Sequence, residues 1–190
     1  MSKKDQWNER YQHADALPQA ARVLSENLHL LPAKGYALDL ACGRGGNAMR
    51  LAQQGLQVDA WDISDVAIDA LAQMAASESL EIAAQVRDVE KNPPEQQRYD
   101  VIVVSYFLER SLFPVLIDSL KKGGLIFYQT FTQSRVSERG PRTPAYRLAD
   151  QELLQIFADF KLLVYREEGV TGDPTQGFRD EVMYVGKKDD

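Results

Sequence analysis

Apolar and polar positions follow two spacings along this chain, and the switches between them lay out the elements. Continuous apolar runs mark strands buried on both faces. They predict strands at Tyr36 to Cys42, Gln57 to Ile63, Ile82 to Val86, Tyr99 to Tyr106, Gly124 to Phe131, Leu162 to Arg166 and Glu181 to Val185. Helix-period segments near Gly46 to Gln54, Ser64 to Ala76 and Leu112 to Lys121 fall between the first five strands. A strand, a helix and a further strand make a crossover unit, so these five strands belong to a parallel sheet. Ser64 is placed to cap its helix with Asp65 in the first turn, and Gly123-Gly124 to stop the next helix. The last two strands are joined by Gly169 to Arg179, which holds Gly172, Pro174 and Gly177 and no helix, so they form an antiparallel hairpin at the sheet edge. The first 35 residues, broken at Pro18 and Pro32, read as a helical cover or lid. The fold class is α/β: a seven-stranded, mostly parallel sheet with helices on both faces and an antiparallel C-terminal hairpin.

Composition narrows the classes. A chain of 190 residues without repeats or linkers reads as one domain, residues 1–190, able to bury its own core. A net charge of -6 argues against nucleic acid or an anionic membrane as partner. Cys42 is the only cysteine, and with His13 and His29 as the only histidines no metal-site spacing exists. The N-terminal MSKKDQWNERYQ is charged where a secretory signal is apolar, and the longest stretch free of Asp, Glu, Lys and Arg, Gly123 to Ser134, is twelve residues. The expectation is a soluble cytoplasmic protein with no membrane span.

The candidate chemistry starts in ALDLACGRGGNAM, residues 37–49. Glycines at Gly43 and Gly45 between a strand and a helix let backbone N–H groups approach a ligand closely. Asp62, nineteen residues after Gly43 at the end of the second strand, suits a pair of ribose hydroxyls. Gly43 to Ala48 also satisfies the dinucleotide pattern G-x-G-x-x-A, so the turn by itself leaves a nicotinamide cofactor open. Asp39 separates the two readings. Beneath a pyrophosphate a buried carboxylate is repulsive, whereas S-adenosylmethionine carries no phosphate and brings a sulfonium and an ammonium.

These residues carry a resemblance. LDLACGRGGNAMRLAQQGLQVDAWDIS resembles the first two motifs of class I S-adenosylmethionine-dependent methyltransferases, which are Rossmann-like. The WNERY start, SYFLERSLFPVLIDSLKKGGLIFYQTF and PRTPAYRL are most similar to the small tellurite-resistance (TehB-like) branch. The resemblance covers residues 36–132 well and the rest loosely. It implies that Asp39, Ala41, Gly43 and Gly45 hold the methionine end of the cofactor and Asp62 the ribose, with Ile63 packed on the adenine. Asp88 and Val89 would meet the adenine edge, and Tyr106, also counted among the cofactor-binding residues, would face the transfer site and position the acceptor.

Other features have plainer readings. Cys42 is a packing residue, and Asn92-Pro93-Pro94-Glu95 is a loop, because the N-P-P-Y signature of amino-group methylation belongs after the fourth strand. His13 and His29 suit surface or cap positions. Trp7 and Tyr11, four apart, suit a lid. Gln133 to Leu148 carries Arg135, Arg139, Arg142 and Arg147 against Glu138 alone, a local +3 that reads either as a solvated loop or as a collector of an anionic acceptor. Arg142, Arg147 and Tyr11 are the candidate substrate residues. The sequence therefore points to methyl transfer from S-adenosylmethionine, with S-adenosylhomocysteine as product, to a small acceptor: a tellurite- or selenite-like oxyanion, a thiol or a small carboxylate. The rivals are an NAD(P)-dependent oxidoreductase and a non-catalytic S-adenosylmethionine-binding module.

Overall fold

A computed structural model describes residues 2–13 and 16–189. Its strands are β1 (Tyr36–Leu40), β2 (Gln57–Asp62), β3 (Ile82–Val86), β4 (Tyr99–Ser105), β5 (Leu120–Phe131), β6 (Phe160–Glu167) and β7 (Glu181–Lys188). They form one sheet in the order β3-β2-β1-β4-β5-β7-β6. The first five are parallel, and β7 pairs antiparallel with both β5 and β6, so β7 alone is reversed. The predicted seven-stranded α/β fold and its terminal hairpin are what the chain adopts, with β6 at the outer edge.

The helices are α1 (Lys3–Gln12), α2 (Arg22–Ser25), α3 (Gly46–Gln53), α4 (Asp65–Ser77), α5 (Phe113–Ser119) and α6 (Glu152–Ile156). The continuous apolar character of the strands is explained by two cores, one on each face. Ala37, Val101, Val103 and Phe127 join the core under α3 and α4, whereas Leu38, Ile102, Val104 and Tyr128 join the one with Phe113, Leu116 and Phe157. Ser64 caps α4 as expected, its hydroxyl accepting from Ala67 N at 3.2 Å.

Three expectations need correction. The helix before β5 ends at Ser119, and Gly123-Gly124 lie inside β5 rather than stopping that helix. Leu120 pairs with Tyr99 and Leu125 with Val101, so the glycines absorb a register shift, and a Cβ on Gly124 would meet the Lys121 carbonyl at 2.9 Å. The N-terminal cover is two different things: α1 buries no residue, whereas Val23 and Leu24 are fully buried core. α6, five residues between β5 and β6, was not predicted; so short a helix gives little periodicity.

Candidate functional site

The turn leaving β1 concentrates unusual backbone. Ala41, Gly43 and Gly45 all have left-handed φ, at 55°, 53° and 82°. For alanine that conformation costs about 1–2 kcal/mol, and such strain persists where surroundings impose it. Gly45 N-caps α3, and the turn is closed by Gly45 N donating to the Cys42 carbonyl at 2.9 Å. Over it lies Tyr11 of α1: a Cβ on Gly43 would stand 2.8 Å from its hydroxyl oxygen.

Three carboxylates sit at the ends of three neighbouring strands, β1, β2 and β3. Asp62 is buried and grips the turn, accepting from Gly43 N at 2.8 Å and from Ser64 N at 2.9 Å on its two oxygens. Each oxygen keeps a lone pair for a further donor. Burial raises its carboxyl above the usual range. Asp39 has no exposed surface; its oxygens accept from Ala48 N at 2.9 Å and from Asn47 Nδ2 at 3.3 Å. Burial pushes its carboxyl up to about 7, and the charge of Asp62 adds to the shift. Asp39 thus caps the first turn of α3 from below, with both of its oxygens already accepting a hydrogen bond. Asp88 is partly exposed in the turn after β3; it pairs with Lys91 at 2.9 Å, which pulls its carboxyl below the usual range, and Val89 beside it is buried. Ala41 and Ile63 are half-buried at the ends of β1 and β2.

Next to these carboxylates, across β4, β5 and β7, runs a polar network that the sequence reading did not identify. Asn47 accepts from Ala21 N at 2.8 Å and donates to Ser105 Oγ at 2.9 Å as well as to Asp39. Gln129 accepts from Val23 N at 2.7 Å and donates to Glu181 at 2.6 Å and to the Tyr106 hydroxyl at 2.9 Å. Tyr106 itself has φ 56° and donates to Glu181 Oε2 at 3.1 Å. Its ring is 5.3 Å from that of Phe131, and its phenol is pushed up to about 12 by burial and by the Glu181 charge. The available signal was Gln129, the polar break in GLIFYQTF, and Glu181, the acid opening EVMYV.

α1 is fastened to α4 by a set of polar contacts. Asn8 Nδ2 donates to Asp65 at 2.8 Å, Ser64 Oγ donates to Asn8 Oδ1 at 2.6 Å, and Lys4 pairs with Asp65 at 2.6 Å. Trp7 stacks on Tyr11 at 5.7 Å. Burial and the nearby Asp62 push the Tyr11 phenol well above its ordinary value. Tyr11 is therefore brought to the turn. His13 stands at the C-cap of α1.

The arginine loop is largely committed to its own architecture. Arg147, expected to face the acceptor, is buried and donates to the carbonyls of Pro141 (2.7 Å), Thr132 (2.8 Å) and Arg139. It staples the loop closed, a role set by three carbonyls that only a long guanidinium reaches. Arg142 is exposed and makes no hydrogen bond or ion pair among the described residues, so nothing joins it to Tyr106. Arg139, not singled out from the sequence, reaches the site: it pairs with Glu181 at 2.9 Å. No helix among the described residues is long and apolar enough to cross a membrane.

Set against known proteins, residues 1–177 match the model of the family described as TehB, tellurite resistance protein TehB. The chain is 32% identical over 139 residues to hemagglutinin 1 of Eikenella corrodens, covering 68% of this chain and 45% of that one. It is 30% identical over 104 residues to a ubiquinone biosynthesis O-methyltransferase of Coxiella burnetii, covering 52% and 44%. The chain thus spans less than half the length of these two relatives. In structure it is similar to TehB from Haemophilus influenzae with a TM-score of 0.72, 23% identity, and 98% of this chain and 67% of that chain covered.

Proposed function

The chain belongs to the TehB family of tellurite resistance proteins, and from that premise we propose that it is an S-adenosylmethionine-dependent methyltransferase acting on a small anionic acceptor. The observation that carries this reading is the set of Asp39, Asp62 and Asp88 on three adjacent strand ends around a left-handed glycine turn. Ligands in such sheets sit beyond the carboxyl ends of the strands. Two buried carboxylates there suit a cationic, phosphate-free adenosyl group and oppose a pyrophosphate.

In this reading Asp62 holds the ribose hydroxyls on its free lone pairs, and the Ala41 to Gly45 turn receives the methionine end above the buried charge of Asp39. Asp88, Val89 and Ile63 frame the adenine, and Tyr11 closes over the turn. The cofactor supplies an electrophilic methyl group on a cationic sulfur. The chain contributes orientation and exclusion of water, which are worth about 7–11 kcal/mol for a well-aligned displacement. Arg139, on the loop after β5 beside Glu181, supplies positive charge for an oxyanion, a thiol or a small carboxylate, and Tyr106 faces it.

Asp39 gives a test of the cofactor. Its raised carboxyl stabilises the fold below pH 4, and that contribution is lost as pH rises through 7. A cation bound above it favours the carboxylate and expels the proton. Calorimetry at pH 6.5 in two buffers of different ionisation enthalpy is expected to show proton release with S-adenosylmethionine, less with the uncharged thioether S-adenosylhomocysteine, and none in Asp39→Asn. Equal release by both ligands, unchanged in the variant, would remove Asp39 from the site.

A further inference from the structure

The hydrogen bonds around Tyr106 have a fixed direction, and that direction constrains the acceptor. Val23 N is a backbone donor, and it points at the Oε1 side of Gln129 at 2.7 Å. Only the carbonyl end of the amide can accept there, so the amide cannot be flipped and its NH2 end must face the site. One N–H goes to Glu181 Oε2 at 2.6 Å and the other to the Tyr106 oxygen at 2.9 Å. Gln129 therefore offers Tyr106 no acceptor. Among the described residues the phenolic proton has one acceptor, the Glu181 carboxylate at 3.1 Å, whose other oxygen accepts from Arg139 at 2.9 Å.

A phenol has one proton and two lone pairs. Its proton is donated in a hydrogen bond to Glu181 and one lone pair accepts from Gln129, which leaves a single lone pair. Glu181 is 4% exposed, whereas Tyr106 is 45% exposed at the carboxyl end of β4. Arg139 stands at the rim, its side chain 63% exposed. The network thus leaves one hydrogen-bond acceptor unpaired on the half-exposed Tyr106, backed by a buried carboxylate. Tyr106 holds this position on a left-handed backbone, φ 56°, that a non-glycine residue keeps at a cost.

We propose that Tyr106 takes the proton from the reacting atom of the methyl acceptor and that Glu181 positions it and receives its proton in turn, so that the acceptor is a thiol or a singly protonated oxyanion and not a bare carboxylate. This rests on the methyltransferase reading and narrows its acceptor class. The acceptor's lone pair forms the new bond to the methyl carbon while the bond from that carbon to the sulfonium sulfur breaks, leaving its electron pair on sulfur. The acceptor's proton moves to Tyr106 Oη as the proton of Tyr106 moves to Glu181 Oε2. A positive sulfonium and a negative carboxylate both end neutral. Glu181 then returns its proton to water at the rim beside Arg139. The charged and titratable groups facing this step are Tyr106, Glu181 and Arg139.

The test compares the full chain with Tyr106→Phe and Glu181→Gln. S-adenosylhomocysteine binding is expected within about threefold of wild type in both variants, because neither touches the carboxylates at β1 to β3. Failure of wild type to bind it overturns the cofactor reading; normal binding with failure below overturns the relay alone. With 2-mercaptoethanol as acceptor, Tyr106→Phe is expected to lower kcat/KM about 100-fold, the order that general acid–base catalysis supplies. Iodide, which has no proton to lose, should change less than about threefold. In Glu181→Gln the thiol rate should climb tenfold per pH unit up to the thiol's own pKa, where wild type is flat. Independently of turnover, carbon-13 tyrosine NMR should show the Tyr106 phenol titrating lower in Glu181→Gln than in wild type. Equal losses for thiol and iodide, an unchanged phenol titration, or a wild-type protein inert toward both 2-mercaptoethanol and hydrogen selenite would overturn the proposal.

Discussion

Replacing Asp62 with alanine is expected to weaken S-adenosylhomocysteine binding about a thousandfold. The estimate comes from two hydrogen bonds to a charged group, each worth about 1.5–3 kcal/mol. A second effect adds to it. Asp62 also accepts from Gly43 N and Ser64 N, so alanine releases the turn that shapes the site and the amide that begins α4. The companion Asp62→Asn keeps the volume but has one acceptor oxygen where two are needed, and its amide end faces an N–H. It should fall between alanine and wild type in both affinity and melting temperature. Titration calorimetry on variants with intact circular dichroism settles the point. Affinity within tenfold of wild type in Asp62→Ala would mean that the ribose is held elsewhere.

Gly45→Ala should cost substantial stability. The glycine has φ 82°, and its Cβ would lie 2.2 Å from Leu71 Cδ1 and 2.8 Å from Leu71 Cγ. Leu71 is fully buried in the core of α4, so it has nowhere to turn. Left-handed strain costs about 1–2 kcal/mol and overpacking about 1–3 kcal/mol. For a domain of this size that lowers the melting temperature by roughly 10 °C. Gly55→Ala is the control, with φ 88° and its nearest neighbour, the Ala33 carbonyl, at 3.7 Å. It carries the strain without the clash and should lose roughly 4 °C. Equal losses in the two variants would show that close packing of the turn on α4 is not what demands glycine at 45.

What could be read from the sequence follows from where each signal resides. The central strands of the parallel sheet, β1 and β4, announce themselves because both faces are buried, whereas β3 (Ile82–Val86), at the open edge with no buried residue, is marked by its apolar residues alone. The carboxylates at Asp39 and Asp62 stand out because each interrupts such a run at its end. The network of Asn47, Gln129 and Glu181 was out of reach for the opposite reason. Its members come from α3, β5 and β7, are far apart in the chain, and acquire meaning only when the sheet order brings β4, β5 and β7 together. Arg147 shows the same limit: its charge suggested an anion, whereas the fold gave it three carbonyls. Charge counts say what a loop contains; they do not say which way its guanidiniums turn.

The N-terminal segment illustrates a further point. Val23 and Leu24 are core residues carried by a four-residue helix, and Val23 N fixes the orientation of Gln129. A stretch that reads as covering thus sets the polarity of the network at the site, while α1, ten residues long, reaches α4, the glycine turn and, through the Lys3–Glu90 ion pair, the turn after β3 without burying a residue.

The central claim, a phosphate-free adenosyl cofactor above Asp39 and beside Asp62, is tested most directly by thermal unfolding with S-adenosylhomocysteine, S-adenosylmethionine or NAD. A ligand at a hundred times its dissociation constant adds about 2.7 kcal/mol to the native state, which for this chain length raises the midpoint by roughly 5–10 °C. A rise of that order with both sulfur ligands and none with NAD is the expected result. A rise with NAD alone would contradict it.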